Sequence, residues 1–440
     1  MKTFCPLPWN GVSVRNNGDL RVCCNANSYS KNRGILRKKD GSAYNVGRDD
    51  ISESRNSEVL KDIRASMING EWHEECTRCK LEEETGIKSR REYENQQWPN
   101  VEKEVLIKTE DDGSIDVNDV KLDYFDLRYG NFCNLKCRRC GPTDSHMWYG
   151  DFVETSGHTR FTDSHGKVQL TKNAKGKWST SDYDWFQGSN FYWDQFEKHT
   201  KNATKFYIVG GEPLIIEEHI QSLERLIASG RANEIEIEYN TNLTNVTEKM
   251  IEIWKNFKEI RIGASIDGYG AVFDYQRFPA NWEQVYKNLK KLDSTPGLNL
   301  SAWLAYTITP FNILHLPEFM KWKLTESGLN KFNTIKQYRK IISHHMCHKP
   351  SHYNVKCLPD EFKKLVDKKF DEYKDWAKHK QPEVISLQFI ALLDGVSSFM
   401  NAESYHDEHF PKFVDLTKKL DVLRGQNILD VVPEFEEYFK

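Results

Sequence analysis

The sequence predicts an α/β chain whose main body is a partial, open parallel βα barrel of about six strands, with a small hairpin-containing N-terminal module before it and a C-terminal helical region after it. Two observations carry this. From residue 205 onward, short β-branched runs alternate with amphipathic helical stretches, which implies a parallel sheet with right-handed crossovers. A strand-like run at residues 122–128 leads straight into a loop of three cysteines, and reactive loops sit at the C-terminal ends of parallel strands. The expected domains are 1–100, 120–345 and 346–440, and 440 residues suffice for one large core with accessory parts.

In chain order, residues 12–15 and 20–22 flank Asn16-Asn17-Gly18-Asp19, where Asn-Gly supplies the positive φ of a tight hairpin turn. Ser57 is expected to cap a helix with Leu60, Ile63 and Met67 on one face and Gly70 at its end. Residues 100–120 are polar and read as a linker. Residues 141–200 are irregular, and Trp148, Trp178, Trp185 and Trp193 are expected to pack that excursion down. The strands are then 122–128, 205–209, 235–239, 260–264, 298–307 and a weaker one near 335–342. Helices carry Ile216, Ile220, Leu223 and Ile227, then Val246, Met250, Ile253 and Phe257, then Trp282, Val285, Leu289 and Leu292. The last part has helical periodicity: Phe362, Leu365 and Phe370, then residues 387–399, then Phe413, Leu416 and Leu420.

Lys+Arg 62 against Asp+Glu 65 gives a net charge of -3, without the basic excess that nucleic-acid binding needs. No apolar run approaches the roughly eighteen residues of a membrane span, and the first residues are not a secretory signal, so a cytoplasmic protein is expected. Ten cysteines then read as metal ligands or catalytic thiols rather than disulfides.

Two thiol sets stand out. Cys133, Cys137 and Cys140 have the spacing Cys-x3-Cys-x2-Cys; three ligands do not close a metal site, which suggests a cubane with one iron open, a zinc-ribbon fragment being the bland alternative. Cys5, one of Cys23 and Cys24, Cys76 and Cys79 form a second set of four, suited by spacing to zinc or to a closed iron–sulfur cluster. Of the adjacent pair, Cys23 is the expected ligand. His344, His345, Cys347, His348, His352 and Cys357 are too irregularly spaced to prefer a metal over a packing role.

The strand ends add chemistry. Gly210-Gly211-Glu212-Pro213 offers bare backbone and a carboxylate for an ammonium group. Asn240 and Thr241 end the next strand and Ser265 and Asp267 the one after, with hydroxyl, amide and carboxylate groups suited to a ribose and an amino-acid carboxylate. Each alone is an ordinary turn.

Taken in order, Cys-x3-Cys-x2-Cys, GGEP and these strand ends resemble the radical S-adenosylmethionine superfamily. The resemblance implies a [4Fe-4S] cluster on Cys133, Cys137 and Cys140 whose open iron chelates S-adenosyl-L-methionine, with GGEP holding the amino group. An electron from that cluster then yields a 5′-deoxyadenosyl radical, which implies a flavodoxin- or ferredoxin-type reductant. Phe4-Cys5-Pro6-Leu7-Pro8-Trp9, the hairpin ending Cys23-Cys24 and Cys76-x2-Cys79 resemble the twitch domain, a shortened SPASM module. It implies a second, auxiliary [4Fe-4S] cluster and shifts the preference from zinc to iron, although in most relatives the module follows the radical domain. Arg139 replaces the aromatic residue that many relatives place before the third cysteine. Leu420-Asp421-Val422-Leu423-Arg424-Gly425 and Pro433-Glu434 resemble stretches kept by one twitch-domain group. The implied function is hydrogen abstraction from a peptide or protein substrate. A sugar, nucleoside or other small molecule is the alternative, and a non-catalytic electron carrier the second alternative.

Overall fold

A computed structural model describes residues 2–84, 88–163, 166–335 and 338–440. The chain forms two compact units, one of Met1–Cys133, Thr159–Tyr239 and Asn256–Glu259, the other of Asn134–His158, Asn240–Lys255 and Ile260–Lys440. Both are mixed α/β with mainly parallel strands.

In the first unit, β1 (Gly11–Val14) and β2 (Leu20–Arg21) form the expected hairpin, with Gly18 at φ +85° in its turn. The hairpin does not stand apart from the sheet. β1 pairs in parallel with β3 (Tyr124–Arg128), which pairs with β4 (Lys205–Val209), and β4 with β5 (Glu236–Thr241). Strand alternation splits the faces. Phe125, Leu127, Phe206, Ile208 and Ile237 share one face, while Tyr124, Asp126, Arg128, Lys205, Tyr207, Glu236 and Glu238 share the other. The polar face is internally paired, since Lys205 Nζ lies 2.9 Å from Glu236 and 3.0 Å from Glu238.

Three expectations for this unit change in detail. Ser57 precedes the helix Glu58–Ile68, but its side chain makes no capping hydrogen bond. The segment read as a linker contains the helix Val101–Leu106 and packs tightly: buried Arg64 donates from Nε to Gly113 O at 2.6 Å, and a Cβ on Gly113 would collide with the Lys61 carbonyl. The excursion carries the helix Asn190–His199 and two small hairpins, and its tryptophans do pack, Trp185 stacking on Tyr129 and Trp193 lying under Arg225.

In the second unit, β6 (Glu259–Ser265), β7 (Leu300–Ile308) and β8 (Ser343–Met346) are parallel neighbours. The weak strand expected near 335–342 is displaced to β8. Thr334–Ile335 and Tyr338–Arg339 form a short antiparallel pair instead, and Lys336 and Gln337 lie outside the described residues. Three C-terminal helices, Asp360–Lys380, Glu383–Asn401 and His406–Arg424, match the periodicity. Leu365, expected on an apolar face, is 38% exposed. Among the described residues one helix, Glu383–Asn401, is long and apolar enough to cross a membrane by length and composition alone, with a mean hydropathy of 1.4 over eighteen residues, a test that core helices of globular proteins also pass. Ser386, Gln388 and Asp394 interrupt its apolar residues, so it contains no unbroken apolar run of that length.

Candidate functional site

The first unit holds Cys133 and the glycine turn. β3 ends at Arg128, and the chain enters the cysteine loop with Phe132 and buried Cys133. Gly210 (φ +87°) and Gly211 (φ +52°) follow β4, and a side chain on Gly211 would collide with the Phe132 carbonyl and backbone. Only glycine permits that approach. Glu212 N–H then donates to Phe132 O at 2.7 Å, so the turn is fastened to the residue before Cys133. The Glu212 side chain is buried, and its Oε1 accepts from Leu214 N–H at 3.1 Å, capping the short turn Pro213–Ile215.

The second unit holds the other two thiols of the loop. Cys137 is buried and Cys140 half-buried; the hydrogen bond that the Cys140 thiol donates to Cys137, together with burial, pushes that thiol well up. The loop is held by backbone and side-chain contacts from other segments. Lys136 N–H and Arg138 N–H donate to Phe278 O and Gln276 O, both at 2.8 Å. Trp148 Nε1 donates to Cys137 O at 2.9 Å. Arg138, completely buried between Cys137 and Cys140, lies over Tyr275 at 3.7 Å from its centroid and pairs with Asp421. Asp421 also accepts Tyr275 Oη at 2.9 Å and Ile428 N–H at 2.9 Å. Asp151 bridges Lys136 (2.7 Å) and Arg424 (2.8 Å), and Arg424 in turn lies over Trp148 at 4.7 Å.

The strand-end residues of this unit converge on the same loop. Asn242 Nδ2 donates to Asn134 Oδ1 at 3.0 Å. Asn240 lies over Gly263, where any Cβ would strike its Oδ1, and Thr241 Oγ1 accepts from Leu243 N–H at 3.1 Å. Ser265 is half-buried at the end of β6. Asp267 differs from the open carboxylate expected of it. Its Oδ1 takes Thr307 N–H at 2.8 Å and its Oδ2 takes Arg277 Nη2 at 2.6 Å. Arg277 Nη1 in turn lies 4.0 Å from Cys137 Sγ, so Asp267 positions a cation beside a thiol.

Cys347 follows β8, buried, with Sγ 3.3 Å from Lys349 O; burial pushes its thiol up to about 11. His344 and His345 are exposed strand residues, and Cys357 Sγ lies 3.4 Å from His352 O. Among the described residues, no three of His, Cys, Asp and Glu converge as ligands of a metal ion.

The N-terminal thiols belong to the first unit. Cys5 precedes the short helix Leu7–Asn10, Cys23 follows β2, and Cys76 and Cys79 lie where the 3-10 turn Glu74–Cys76 passes into the helix Thr77–Glu84. Cys5, Cys23, Cys76 and Cys79 line one cavity of about 30 Å³ with Leu7, Met67 and Trp72. Cys24 is not among its lining residues. It lies close enough to Arg90, Tyr124, Arg128 and Tyr207 to shift their ionisation. Burial and mutual proximity push the cavity thiols up, Cys76 to about 12. Four thiolates there therefore need compensating cations, and Arg90 and Arg91 border the cavity. Four sulfurs, an apolar wall and two guanidiniums have the donor chemistry of an iron–sulfur group, although the four thiols line the cavity without converging on one point as ligands.

Sequence reasoning named the thiols and strand ends, gave Trp148 only a packing role and missed Arg277 and Asp151. Nothing in local spacing marks them. No protein-family profile matches the chain, and no curated protein matches it. Among solved structures, 17 chains match. They include anSMEcpe with bound AdoMet, at 15% identity and TM-score 0.36 over 59% of this chain and 63% of that one. They also include SuiB of Streptococcus suis bound to S-adenosylmethionine, at 14% identity and TM-score 0.31 over 72% of this chain and 60% of that one. SuiB bound to precursor peptide SuiA matches at 14% identity and TM-score 0.28 over 66% of this chain and 62% of that one. The chain thus spans less than two thirds of the length of the structures it matches first. At these scores the functional reading rests on the chain's own residues.

Proposed function

We propose that this chain is a radical S-adenosylmethionine enzyme that abstracts hydrogen from a peptide or protein substrate. The observation that carries the reading is the fastening of the Gly210 and Gly211 turn to Phe132, immediately before Cys133. That contact draws a bare backbone turn and a cysteine loop together, and an ordinary turn has no need of it. Cys133, Cys137 and Cys140 would hold the first [4Fe-4S] cluster, and Cys5, Cys23, Cys76 and Cys79 the second. When bound, the first supplies an electron to S-adenosylmethionine, delivered from a flavodoxin- or ferredoxin-type reductant.

The protein's own part is positioning and charge. Glu212 sets a buried carboxylate beside the turn for an ammonium group. Arg277, anchored by Asp267, sets a guanidinium on Cys137, stabilising thiolate charge. Asn240, Thr241 and Ser265 supply polar groups at strand ends for a ribose. On this reading the chain divides by function into an auxiliary module at 1–100, a radical domain at 120–345 and a helical region at 346–440, a division that the two compact units do not follow.

The test is anaerobic reconstitution with iron and sulfide, then reduction with S-adenosylmethionine. Methionine and 5′-deoxyadenosine are expected products. Glu212→Ala should weaken S-adenosylmethionine binding by about tenfold or more, as loss of a charge-assisted contact does. Unchanged affinity in that variant would remove the role given to Glu212. Transfer of deuterium from labelled peptides into 5′-deoxyadenosine identifies the substrate class.

A further inference from the structure

We propose that Arg15, Arg21 and Arg128 form a binding site for a substrate carboxylate beside the glycine turn. The inference rests on the peptide reading and narrows it to peptides that present an acidic side chain or a free C-terminus.

The strand register builds the cluster. Ser13 on β1 stands opposite both Arg21 on β2 and Asp126 on β3, and Arg128 lies two residues further along the same face of β3. Asp126, with a fully buried side chain, is the shared counter-ion. Its Oδ2 accepts Ser13 Oγ at 2.7 Å and Arg21 Nη2 at 3.3 Å, while its Oδ1 lies 3.5 Å from Arg128 Nε. Arg15 sits in the hairpin turn, 3.7 Å from Asp163, whose Oδ2 already takes Tyr183 Oη at 2.7 Å.

Three guanidiniums therefore share one close carboxylate, Asp126, with Asp163 and Asp19 further from Arg15. The Arg15 guanidinium reaches the Asp163 carboxylate only at 3.7 Å, and Arg128 Nε is sealed from solvent with no hydrogen-bond partner, 3.5 Å from Asp126. Burial and the charges of Arg21 and Arg128 pull Arg15 below its usual range, which shows how closely the cations crowd. Crowded, underused guanidinium forks are the geometry that takes a carboxylate in bidentate fashion. Their place matters as well. A Cβ on Gly210 would press on Asn16 Oδ1 at 2.8 Å and on Arg128 Cβ at 2.9 Å, so the cluster touches the turn that reaches Phe132. A carboxylate held there is anchored next to the radical-generating loop.

S-adenosylmethionine also carries a carboxylate, so the experiment separates the two sources. The reconstituted full-length chain is titrated calorimetrically with N-acetyl-glutamate amide, with the neutral N-acetyl-glutamine amide, and separately with S-adenosylmethionine. The acid is expected to bind and the neutral analogue not to. Arg15→Gln and Arg128→Gln should each weaken the acid about tenfold or more, while affinity for S-adenosylmethionine stays within twofold. Arg128→Lys, which keeps charge but loses the fork, should weaken the acid as well, and the thermal midpoint reports whether each variant is folded. Acid binding that is absent in the parent, or unchanged in folded variants, overturns the proposal. So does competition between the acid and S-adenosylmethionine with parallel loss of both, which assigns the site to the cofactor. Arginine-dependent acid binding in a chain that cleaves no S-adenosylmethionine supports the site and sinks the enzyme reading instead.

Discussion

The two thiol sets are held in opposite ways. The N-terminal four come from separate segments and line a small apolar cavity, so their positions follow from packing of Leu7, Met67 and Trp72 around them. The cysteine loop has neither helix nor strand of its own, and Cys137 and Cys140 depend on the side chains of Trp148, Arg277 and Asp421 and on the backbone carbonyls of Gln276 and Phe278. A cavity of thiols resists change because it is packed. A loop held by directional contacts is tunable and can be undone one contact at a time.

The largest effect expected of this contrast is in iron content. Reconstituted protein should hold about eight irons, four per cubane. Replacing Cys133, Cys137 and Cys140 by Ala should halve that and abolish S-adenosylmethionine cleavage. Cys23→Ala should lose the other half and Cys24→Ala should not, as read by iron assay and electron paramagnetic resonance. About four irons with one zinc in the parent would break the comparison, since the two sets would then hold different metals.

Next comes the support of the loop. Asp421→Ala leaves the Arg138 guanidinium buried without its carboxylate, an arrangement that costs about 3–5 kcal/mol. The variant should unfold at markedly lower denaturant, and the spectrum of the first cluster should shift while the second is unchanged. If both signals moved together, the two sites would not be independently supported.

The smallest effect is a pH dependence within the first unit. His219, on the helix Glu217–Ala228, is completely buried, with Nε2 3.0 Å from Tyr239 Oη, and burial lowers its pKa to about 3. Its folded value lies below the unfolded 6.5, so the unfolded chain binds the extra proton between the two values. Stability should therefore be full above pH 6.5 and fall as the pH drops towards 3, by about 1.4 kcal/mol per unit at most. His219→Gln should flatten that slope in denaturation curves at pH 7 and pH 5.

Much of the site was legible in advance because its chemistry is local. Three thiols in eight residues, a double glycine at a strand end and a tight Asn-Gly turn are short-range patterns, and the structure places the glycine turn against Phe132. The turn of Asp267 towards Arg277 was not legible, because a strand-end carboxylate reads the same whether it faces a ligand or a guanidinium ten residues on. The displacement of the last strand to Ser343–Met346 was missed because Ser343, His344 and His345 carry no apolar alternation; pairing with Leu300–Ile308 decides it.

By itself the sequence determined the alternation of strands and helices from Lys205 to Ile308 and the three C-terminal helices, since 2- and 3.6-residue periodicity is a property of each segment alone. It also determined which thiols stand together along the chain. Only the tertiary structure decided which of two adjacent cysteines lines a cavity, which arginines crowd around Asp126, and which residue holds Arg138. Those outcomes depend on strand register and on contacts such as that of Arg138 with Asp421, 283 residues away, and no local window contains both partners.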